Sequence, residues 1–411
     1  MTSMPLLVGL LVLAYLGSFL VGGRTVRGVG LPSGLEYLAL GFVLGPRVLD
    51  VIGADTLEAF EPVVQVALGW LAFAIGLDFG YVRGKRVRWA SMFIGLFGAV
   101  LTGACVAAAV WYVLRRLGAG GTPTERLLLA GGIGAACSET TRHAARWVIE
   151  RYDAHGPLSD RLNETAHAGA FFPLLAVAVL FALEPTRAVA MKVPLRDWPL
   201  ATIGLGLVLG GGTALLVRSE LRLEDTWGVL FGVNLIAIGT SSRLGISTLT
   251  ACFFLGVTVA GLSRHRRELR VMVGPTERPV LLPALLLAGA RVDFLSSSAL
   301  PWVLGAAMGA RLVTKIVVGW AIAASASSAR KAGPMLGLSL LSSGALAVSI
   351  GLAFALHFPG AVGDTVLAVT IASVTIGEFI GPVRMRSALR AAGEIEDAGA
   401  GARPLPARAP A

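Results

Sequence analysis

Ionisable and small polar residues interrupt an apolar part of the chain between Ala130 and Leu183. A run of glycine and alanine leads into Cys-Ser-Glu-Thr-Thr-Arg-His at 137–143, and a second polar group follows at 163–167. Ionisable groups at membrane depth are costly and usually mark the site of function. An apolar segment broken by glycine and polar residues also points to the binding site of a transporter. This stretch is therefore the first candidate for chemistry.

The composition indicates a polytopic membrane protein. The 411 residues are 55% hydrophobic and 15% charged, whereas soluble proteins carry about 25% charged residues. The net charge of +10 comes mostly from loops between apolar runs, so topology explains it and no nucleic-acid partner is expected. The three cysteines lie in apolar runs, which argues against a disulfide or a metal site. Because no nucleotide loop or nucleophile–base set is present, neither an enzyme nor a bound cofactor is expected.

Runs of about 20 apolar residues predict an all-α fold with about thirteen transmembrane helices. A tight turn at Ser241–Arg243 separates the eighth span from the ninth. The predicted spans are 4–22, 35–53, 60–80, 88–114, 125–149, 162–183, 198–217, 226–241, 245–262, 278–294, 300–324, 333–357 and 362–383.

The distribution of basic residues predicts the orientation. If the N-terminus is outside, Lys and Arg concentrate in the inside loops, for example at 83–88 and 264–270, whereas the outside loop 357–364 has none. No basic residue precedes the first apolar run, so we expect a retained span rather than a cleaved signal. We expect one membrane domain over residues 1–390 and a disordered cytoplasmic tail over 391–411, which is rich in Ala, Gly and Pro.

The fifth and twelfth predicted spans share a pattern. Both are apolar, both contain a small polar cluster near the middle, at 137–141 and 338–344, and both then resume. They are seven spans apart and cross the membrane in opposite directions, as expected for an inverted repeat with two broken helices. Such breaks free backbone groups and direct partial charges from half-helix ends toward the membrane midplane. The alternative is a pair of kinked helices whose Gly and Ser only allow close packing.

Several segments resemble bacterial cation:proton antiporters. Residues 35–49, with a Gly-x-x-x-Gly-Pro pattern, resemble the second span of that superfamily, and residues 69–78 resemble the close of its third. The segment 244–261, Lys315 and the Gly-Pro-Val-Arg of 381–384 also match in kind and position. The resemblance covers about residues 5–390 and rests on the order and spacing of these motifs together.

The resemblance implies inverted repeats with two crossed discontinuous helices, a homodimer and elevator-like alternating access. It also implies exchange of Na⁺ or K⁺ for protons across a bacterial inner membrane. In that superfamily an acidic pair, Asp-Asp or Asn-Asp, lies on the sixth span. Counting from the loop at Gly156 puts Ala170 and Phe171 there, and neither can ionise. Matching by motif instead gives Asn163 and Glu164, which lie close to the cytoplasmic end of the span.

Other residues are candidates to replace the missing carboxylate. Glu139 lies at the first break, as a proton or cation ligand or as a structural partner of Arg142 or His143. His167 follows Glu164 on about the same helix face, as a proton carrier or as a hydrogen-bonded core residue.

Lys315 needs a partner carboxylate if it is buried, and its candidates are Glu139, Glu164 and Glu378. Glu378 is either the compensating acid or a structural partner of Arg311. Arg142 and Arg311 are expected to be structural charge partners. Hydroxyl oxygens for an ion are available at Ser138, Thr140, Thr141, Ser342 and Ser343.

The sequence thus predicts a secondary transporter that exchanges Na⁺ or K⁺ for protons. Glu139, with Glu164 or His167, would titrate, and Lys315 would compete with the ion. Two alternatives stay open. The same fold could carry a small organic anion, which Arg142, His143 and Lys315 would suit, or a degenerate antiporter could act as a membrane partner or sensor.

Overall fold

A computed structural model describes residues 34–82, 85–184, 197–217, 223–295, 297–325 and 330–395, and these residues are almost entirely helical. A hairpin of two short strands, β1 (Tyr81–Val82) and β2 (Lys85–Arg86), is the exception. The helices, in chain order, are α1 (Leu35–Leu44), α2 (Ala54–Ala59), α3 (Glu61–Asp78), α4 (Trp89–Leu117), α5 (Pro123–Ser138), α6 (Arg142–Arg151), α7 (Pro157–Ala168), α8 (Phe171–Leu183), α9 (Trp198–Val217), α10 (Leu223–Leu244), α11 (Thr248–Leu262), α12 (Arg266–Val273), α13 (Glu277–Arg291), α14 (Leu300–Ser325), α15 (Ala345–His357) and α16 (Ala361–Ala391). Two 3₁₀ segments, Gly274–Thr276 and Pro334–Leu341, precede α13 and α15.

The helices have the length and composition to cross a bilayer. Among the described residues, seven helical segments are long and apolar enough to span it, and α1, α11 and α15 are shorter apolar helices. Large apolar side chains are exposed on the outer faces, for example Val208 at 73% and Val313 at 62%. Lipid solvates such side chains as well as the protein interior does. The prediction of a multi-helix membrane protein is confirmed.

Each predicted span within the described residues corresponds to a helix or to two consecutive helical segments, with differences at several ends. The first span, 4–22, lies outside the described residues. The second, predicted as 35–53, is shorter: α1 ends at Leu44 and Gly45 is extended, with φ −70° and ψ 174°. Pro46 follows Gly45, and a residue before proline is disfavoured in the helical region. The sixth span starts at Pro157 instead of 162 and is interrupted at Gly169–Ala170.

The turn between the eighth and ninth spans lies later than predicted. The sequence placed it at Ser241–Arg243, but α10 continues through these residues to Leu244. Gly245, with φ +64°, then ends the helix, because glycine adopts this left-handed conformation without steric penalty. The Ser247 side chain caps α11 by accepting from the Thr250 N–H at 3.2 Å.

The helices pack as two groups. The first, called the crossing group because it contains two helices that cross, consists of α4 to α8, α14, the segment Pro334–Leu341, α15 and α16. The flanking group consists of α1 to α3 and α9 to α13. Packing is extensive within each group and sparser between them. Within the flanking group, α3 and α11 approach closely: a Cβ on Gly76 would lie 2.2 Å from the Phe253 carbonyl oxygen.

The start of the predicted tail belongs to the fold. Residues 396–411 lie outside the described residues, but α16 includes Ala391, and Glu394 and Ile395 are buried. The Glu394 carboxylate accepts hydrogen bonds from the Leu158 and Ser159 N–H groups, both at 2.7 Å. A carboxylate is favourable at a helix N-terminus because the free N–H groups carry partial positive charge. The chain after α16 is therefore fastened to the start of α7.

Candidate ion-binding site at the helix crossing

Two broken helices meet inside the crossing group. The first break separates α5 from α6 at residues 139–141, and the second separates Pro334–Leu341 from α15 at residues 342–344. The Thr141 N–H donates to the Ser342 carbonyl at 3.0 Å, and the Gly344 N–H donates to Glu139 Oε2 at 2.7 Å. Residue 141 thus lies by 342 and residue 139 by 344, so the extended segments run antiparallel. Both breaks occur in the polar clusters that the sequence indicated.

Backbone groups freed at the breaks find partners nearby. The Thr141 side chain accepts from the His143 N–H at 3.3 Å and caps α6. The Thr140 hydroxyl donates to the Leu340 carbonyl at 3.3 Å, which links the two breaks a second time. Irregular backbone is tolerated at membrane depth only when protein or a wet cavity surrounds it. Here protein surrounds it, since residues 139–141 and 342–344 are all buried.

Glu139 is a helix cap rather than a partner of Arg142. Its side chain is in the protein interior, with the residue 4% exposed, and the carboxylate accepts from the Gly344 N–H at the N-terminus of α15. That end carries about half a positive charge, so the negative carboxylate stabilises it. The carboxylate also interacts electrostatically with Arg311 and Lys315. Glu139 therefore places negative charge at the centre of the crossing.

Two positively charged side chains of α14, Lys315 and Arg311, lie at the C-terminal end of a helix, whereas Glu139 lies at an N-terminal end. The Lys315 ammonium donates to the Ser138 carbonyl at 3.1 Å and to the Thr140 hydroxyl at 2.6 Å. Arg311 donates to the Glu139 carbonyl at 3.2 Å. These carbonyls end α5, where the helix dipole is negative and favours cations. Lys315 thus occupies oxygen ligands that a bound metal cation would also use.

Arg311 joins the crossing to α16. Its guanidinium donates to the Ser373 hydroxyl at 3.0 Å and contacts the Ser343 hydroxyl at the second break. Glu378, buried in α16, interacts electrostatically with Arg311. This fits the structural pairing of Glu378 with Arg311 that the sequence left open.

The remaining predicted hydroxyls differ in availability. Ser138 donates to the Ala135 carbonyl of its own helix at 2.7 Å. The Ser342 hydroxyl is buried without a hydrogen-bond partner among the described residues. Among the described residues, the Ser342 hydroxyl is therefore the one of these two whose hydrogen-bonding capacity is not used.

A small cavity lies beside the first break, at the interface of the two groups. Its volume is about 20 Å³, enough for roughly one water molecule. The lining residues are Leu71, Ile75, Glu139, Thr140, Thr141, Arg142, His143, Ala166, Ala170, Glu277, Ala345 and Leu346. Ala170, which counting from Gly156 assigned to the position of the acidic pair, lines this cavity, and its side chain is a methyl group.

Asn163 and Glu164, the other match to the acidic pair, are not at the two breaks. Glu164 pairs with Arg88, with 3.0 Å between Oε2 and Nε, and Arg88 is the residue before α4. His167 lies against the flanking group, with its Nε2 atom 2.8 Å from the Asp78 carbonyl oxygen. Asn163 is buried in α7. Although α7 begins earlier than expected, the contacts of Glu164 and His167 are with residues outside the two breaks.

Arg142 and His143 contact acids of the flanking group. Arg142 lies 3.0 Å from the Asp78 carboxylate and 2.9 Å from that of Glu277, and His143 Nε2 lies 3.2 Å from Glu277. Asp78 also pairs with Arg270. Neither Asp78 nor Glu277 was among the candidate site residues from the sequence. No periodic pattern could have joined them, because α3 and α13 are separated by nearly 200 residues.

The architecture is that of a helical membrane protein with two crossed, discontinuous helices, an arrangement that secondary transporters use to bind ions near the membrane midplane. A structure of the sodium proton antiporter MjNhaP1 from Methanocaldococcus jannaschii at pH 8 matches with a TM-score of 0.70 and 14% sequence identity, over 96% of this chain and 100% of that chain. A second structure of that antiporter, from an electron-microscopy map, matches with a TM-score of 0.68 and 16% identity, over 95% and 98%. No protein-family profile and no curated protein sequence matches the chain. The likeness in structure confirms the fold that the sequence resemblance implied.

Proposed function

We propose that the protein is a secondary transporter that exchanges Na⁺ or K⁺ for protons by alternating access at the helix crossing. The observation that carries the proposal is the arrangement of Glu139 and Lys315 around the two breaks. A buried acid and a buried base lie at helix ends of opposite polarity, within a fold like that of a sodium proton antiporter. Such a pair titrates as one coupled unit.

In the proposed cycle, a metal cation and the Lys315 ammonium compete for the same oxygens. The cation binds near the Ser138 carbonyl and the Thr140 hydroxyl, which Lys315 now contacts at 3.1 and 2.6 Å. When the cation arrives, Lys315 leaves these oxygens and loses its proton, because two adjacent positive charges repel at low dielectric. The Glu139 carboxylate neutralises whichever cation is present. Rebinding of the proton to Lys315 then expels the metal cation.

The membrane orientation belongs to the proposal as well. The basic residues at 85–88 and 264–270 lie on one face, since Arg266 and Arg270 donate to the Phe79 and Tyr81 carbonyls. We assign this Arg-rich face to the cytoplasm of a bacterial cell, with the N-terminus outside. The homodimer that the resemblance implies is likewise proposed, and cross-linking in native membranes tests it.

Flux in proteoliposomes tests the exchange. The purified protein is reconstituted with a pH-sensitive dye inside, and gradients of Na⁺, K⁺ or Li⁺ are imposed in turn. We expect a cation gradient to drive proton movement, Glu139→Gln to abolish it, and Glu150→Gln, at an exposed acid of α6, to leave it intact. If no cation gradient moves protons in the parent protein, the exchange is refuted.

A specific observation favours the organic-anion alternative. The hydrogen bonds of Arg311 and Lys315 go to hydroxyl and carbonyl oxygens, which a carboxylate could displace. The same vesicles decide between the two. Saturable uptake of acetate, succinate or citrate, with no response to metal cations, would replace cation exchange with anion transport. If the vesicles transport neither metal cations nor these organic anions, the remaining candidate function is that of a membrane partner or sensor.

A further inference from the structure

The ion pairs between the two helix groups gather at one point. Arg142 forms ion pairs with Asp78 and Glu277 that join the crossing group to the flanking group, and His143 Nε2 contacts Glu277 beside them. The other pairs, such as Arg88 with Glu164, join residues on the same side of that division. The ion pairs that Arg142 makes between the groups therefore lie in the first turn of α6.

At the N-terminal end of α3, near Glu61, the two groups are connected by a different kind of contact. There Arg291 pairs with Glu61, a residue of its own group, at 2.9 Å. It reaches the crossing group through a hydrogen bond to the Ala355 carbonyl at 3.1 Å. A charged hydrogen bond to a neutral acceptor is weaker than a pair of opposite charges at the same distance. Asp364 of α16 also interacts electrostatically with Arg291, but the direct contact of one guanidinium with two carboxylates of the other group is found on the Arg-rich face.

Arg142 is well placed to transmit movement of the crossing. It is the first residue of α6, directly after the break, and Thr141 before it donates to the Ser342 carbonyl. Its two acidic partners come from different helices, α3 and α13. Asp78 is held in place by Arg270, so the site that receives the guanidinium is already formed.

The cavity beside the first break lies directly behind this contact. Arg142, His143 and Glu277 form one part of its lining, and Glu139 and Thr140 form another. At about 20 Å³ the cavity is too small for a hydrated ion. Passage from the Arg-rich face to the crossing through this cavity requires Arg142 to move away from Glu277.

We propose that Arg142 is a releasable latch, which holds the crossing group closed against Asp78 and Glu277 of the flanking group and opens the Arg-rich face when it is released. The planar guanidinium can engage two carboxylates at once, which lysine cannot do with the same geometry. The proposal requires only the two packing groups and the cavity. It goes beyond the proposed exchange and holds whichever solute the protein carries.

Thiol accessibility tests the latch without any transport assay. Cys105, Cys137 and Cys252 are replaced by alanine, and Ala170→Cys then introduces one reporter thiol into the cavity lining. The full-length protein is treated with a charged, membrane-impermeant methanethiosulfonate reagent, in right-side-out and in inside-out vesicles. The labelling rate from each face is the readout.

We expect Arg142→Gln to raise the labelling rate from the Arg-rich face by about tenfold or more, the change that a coupling of ordinary strength gives. Glu277→Gln should act in the same direction, and Arg142→Lys should give an intermediate rate. Arg88→Gln is the matched control, because it removes a guanidinium near the same face whose partner, Glu164, lies in its own group. Its labelling rate should equal that of the parent.

Labelling rates of Arg142→Gln and Glu277→Gln within twofold of the parent would overturn the latch, as would an equal increase from both faces. If Arg142→Gln does not fold, as judged by gel filtration, Glu277→Gln and Arg142→Lys decide the question. Parallel flux measurements keep the two proposals apart. If the parent protein shows no cation exchange but Arg142→Gln still exposes the reporter thiol, the exchange is refuted and the latch is supported.

Discussion

Removal of the Glu139 carboxylate is the sharpest test of how the crossing is held together. Its Oε2 atom accepts from the Gly344 N–H at 2.7 Å, and the residue is 4% exposed. Alanine at this position leaves that N–H without its acceptor and leaves Lys315 and Arg311 without the negative charge they face. Removing one partner of a buried charge pair costs about 3–5 kcal/mol. We expect Glu139→Ala to lower the free energy of unfolding by that amount.

Glutamine at the same position separates the hydrogen bond from the charge. Its side-chain oxygen can still accept from Gly344, so only the charge contribution is lost. A charge at a helix end is worth about 0.3–2 kcal/mol, and glutamine also leaves Lys315 and Arg311 without the negative charge they face. We therefore expect Glu139→Gln to destabilise by roughly 2 kcal/mol. The free energies of unfolding of the two variants should therefore differ by about 1–3 kcal/mol, which is the cost of losing the hydrogen bond and leaving the Gly344 N–H unpaired.

Reversible unfolding in mixed detergent micelles, with SDS as the denaturant, measures these free energies. Glu150→Ala is the control, because Glu150 lies in α6 but is exposed and pairs only with its neighbour Arg146 at i,i+4. It should change stability by less than about 0.5 kcal/mol. If Glu139→Ala is as stable as Glu150→Ala, the carboxylate does not hold the two breaks together, and the assignment of Glu139 as a cap is wrong.

Three further changes probe the termini, the cavity and the helix packing. Glu394→Gln should lower the free energy of unfolding by about 1.5–3 kcal/mol, because one of two charge-assisted hydrogen bonds to the start of α7 is lost; the same SDS titration measures it, and a stability equal to the parent would contradict the cap. Ala170→Asp places a carboxylate in the cavity beside the crossing, so Na⁺ or K⁺ should raise the thermal unfolding temperature of this variant more than that of Ala170→Asn; equal shifts would show that this cavity does not bind cations. Gly76→Ala puts a Cβ within 2.2 Å of the Phe253 carbonyl oxygen and should destabilise by about 1–3 kcal/mol, whereas Gly239→Ala, with open space around it, should not.

Local patterns in the sequence were sufficient to predict most of the helices. Apolar runs interrupted by charged loops gave nearly every described span, because the bilayer fixes the length of an apolar helix. The positions of the two breaks could also be predicted from the sequence, since Gly, Ser and Thr in mid-span weaken a membrane helix. Errors arose at ends set by single residues, such as Gly45 before Pro46 and the left-handed Gly245.

The partners of charged residues were far less predictable. The sequence left Glu139 open as an ion or proton ligand or as a structural partner of Arg142 or His143, whereas its carboxylate accepts a hydrogen bond from a backbone N–H some 200 residues away, at Gly344. Glu164 was matched to an ion-binding motif, and it pairs with Arg88. A side chain chooses among partners that the fold brings within a few ångströms, and sequence spacing carries no information about partners on distant helices.

The sequence by itself determined that this is a polytopic membrane protein with two interrupted helices, because hydropathy and helix-breaking residues act locally. Only the tertiary structure decided that the two interruptions lie side by side, with Glu139 at one helix end and Lys315 at another. It also decided that Arg142 faces Asp78 and Glu277. These arrangements depend on how helices far apart in the chain pack, and packing alone sets which charges meet at membrane depth.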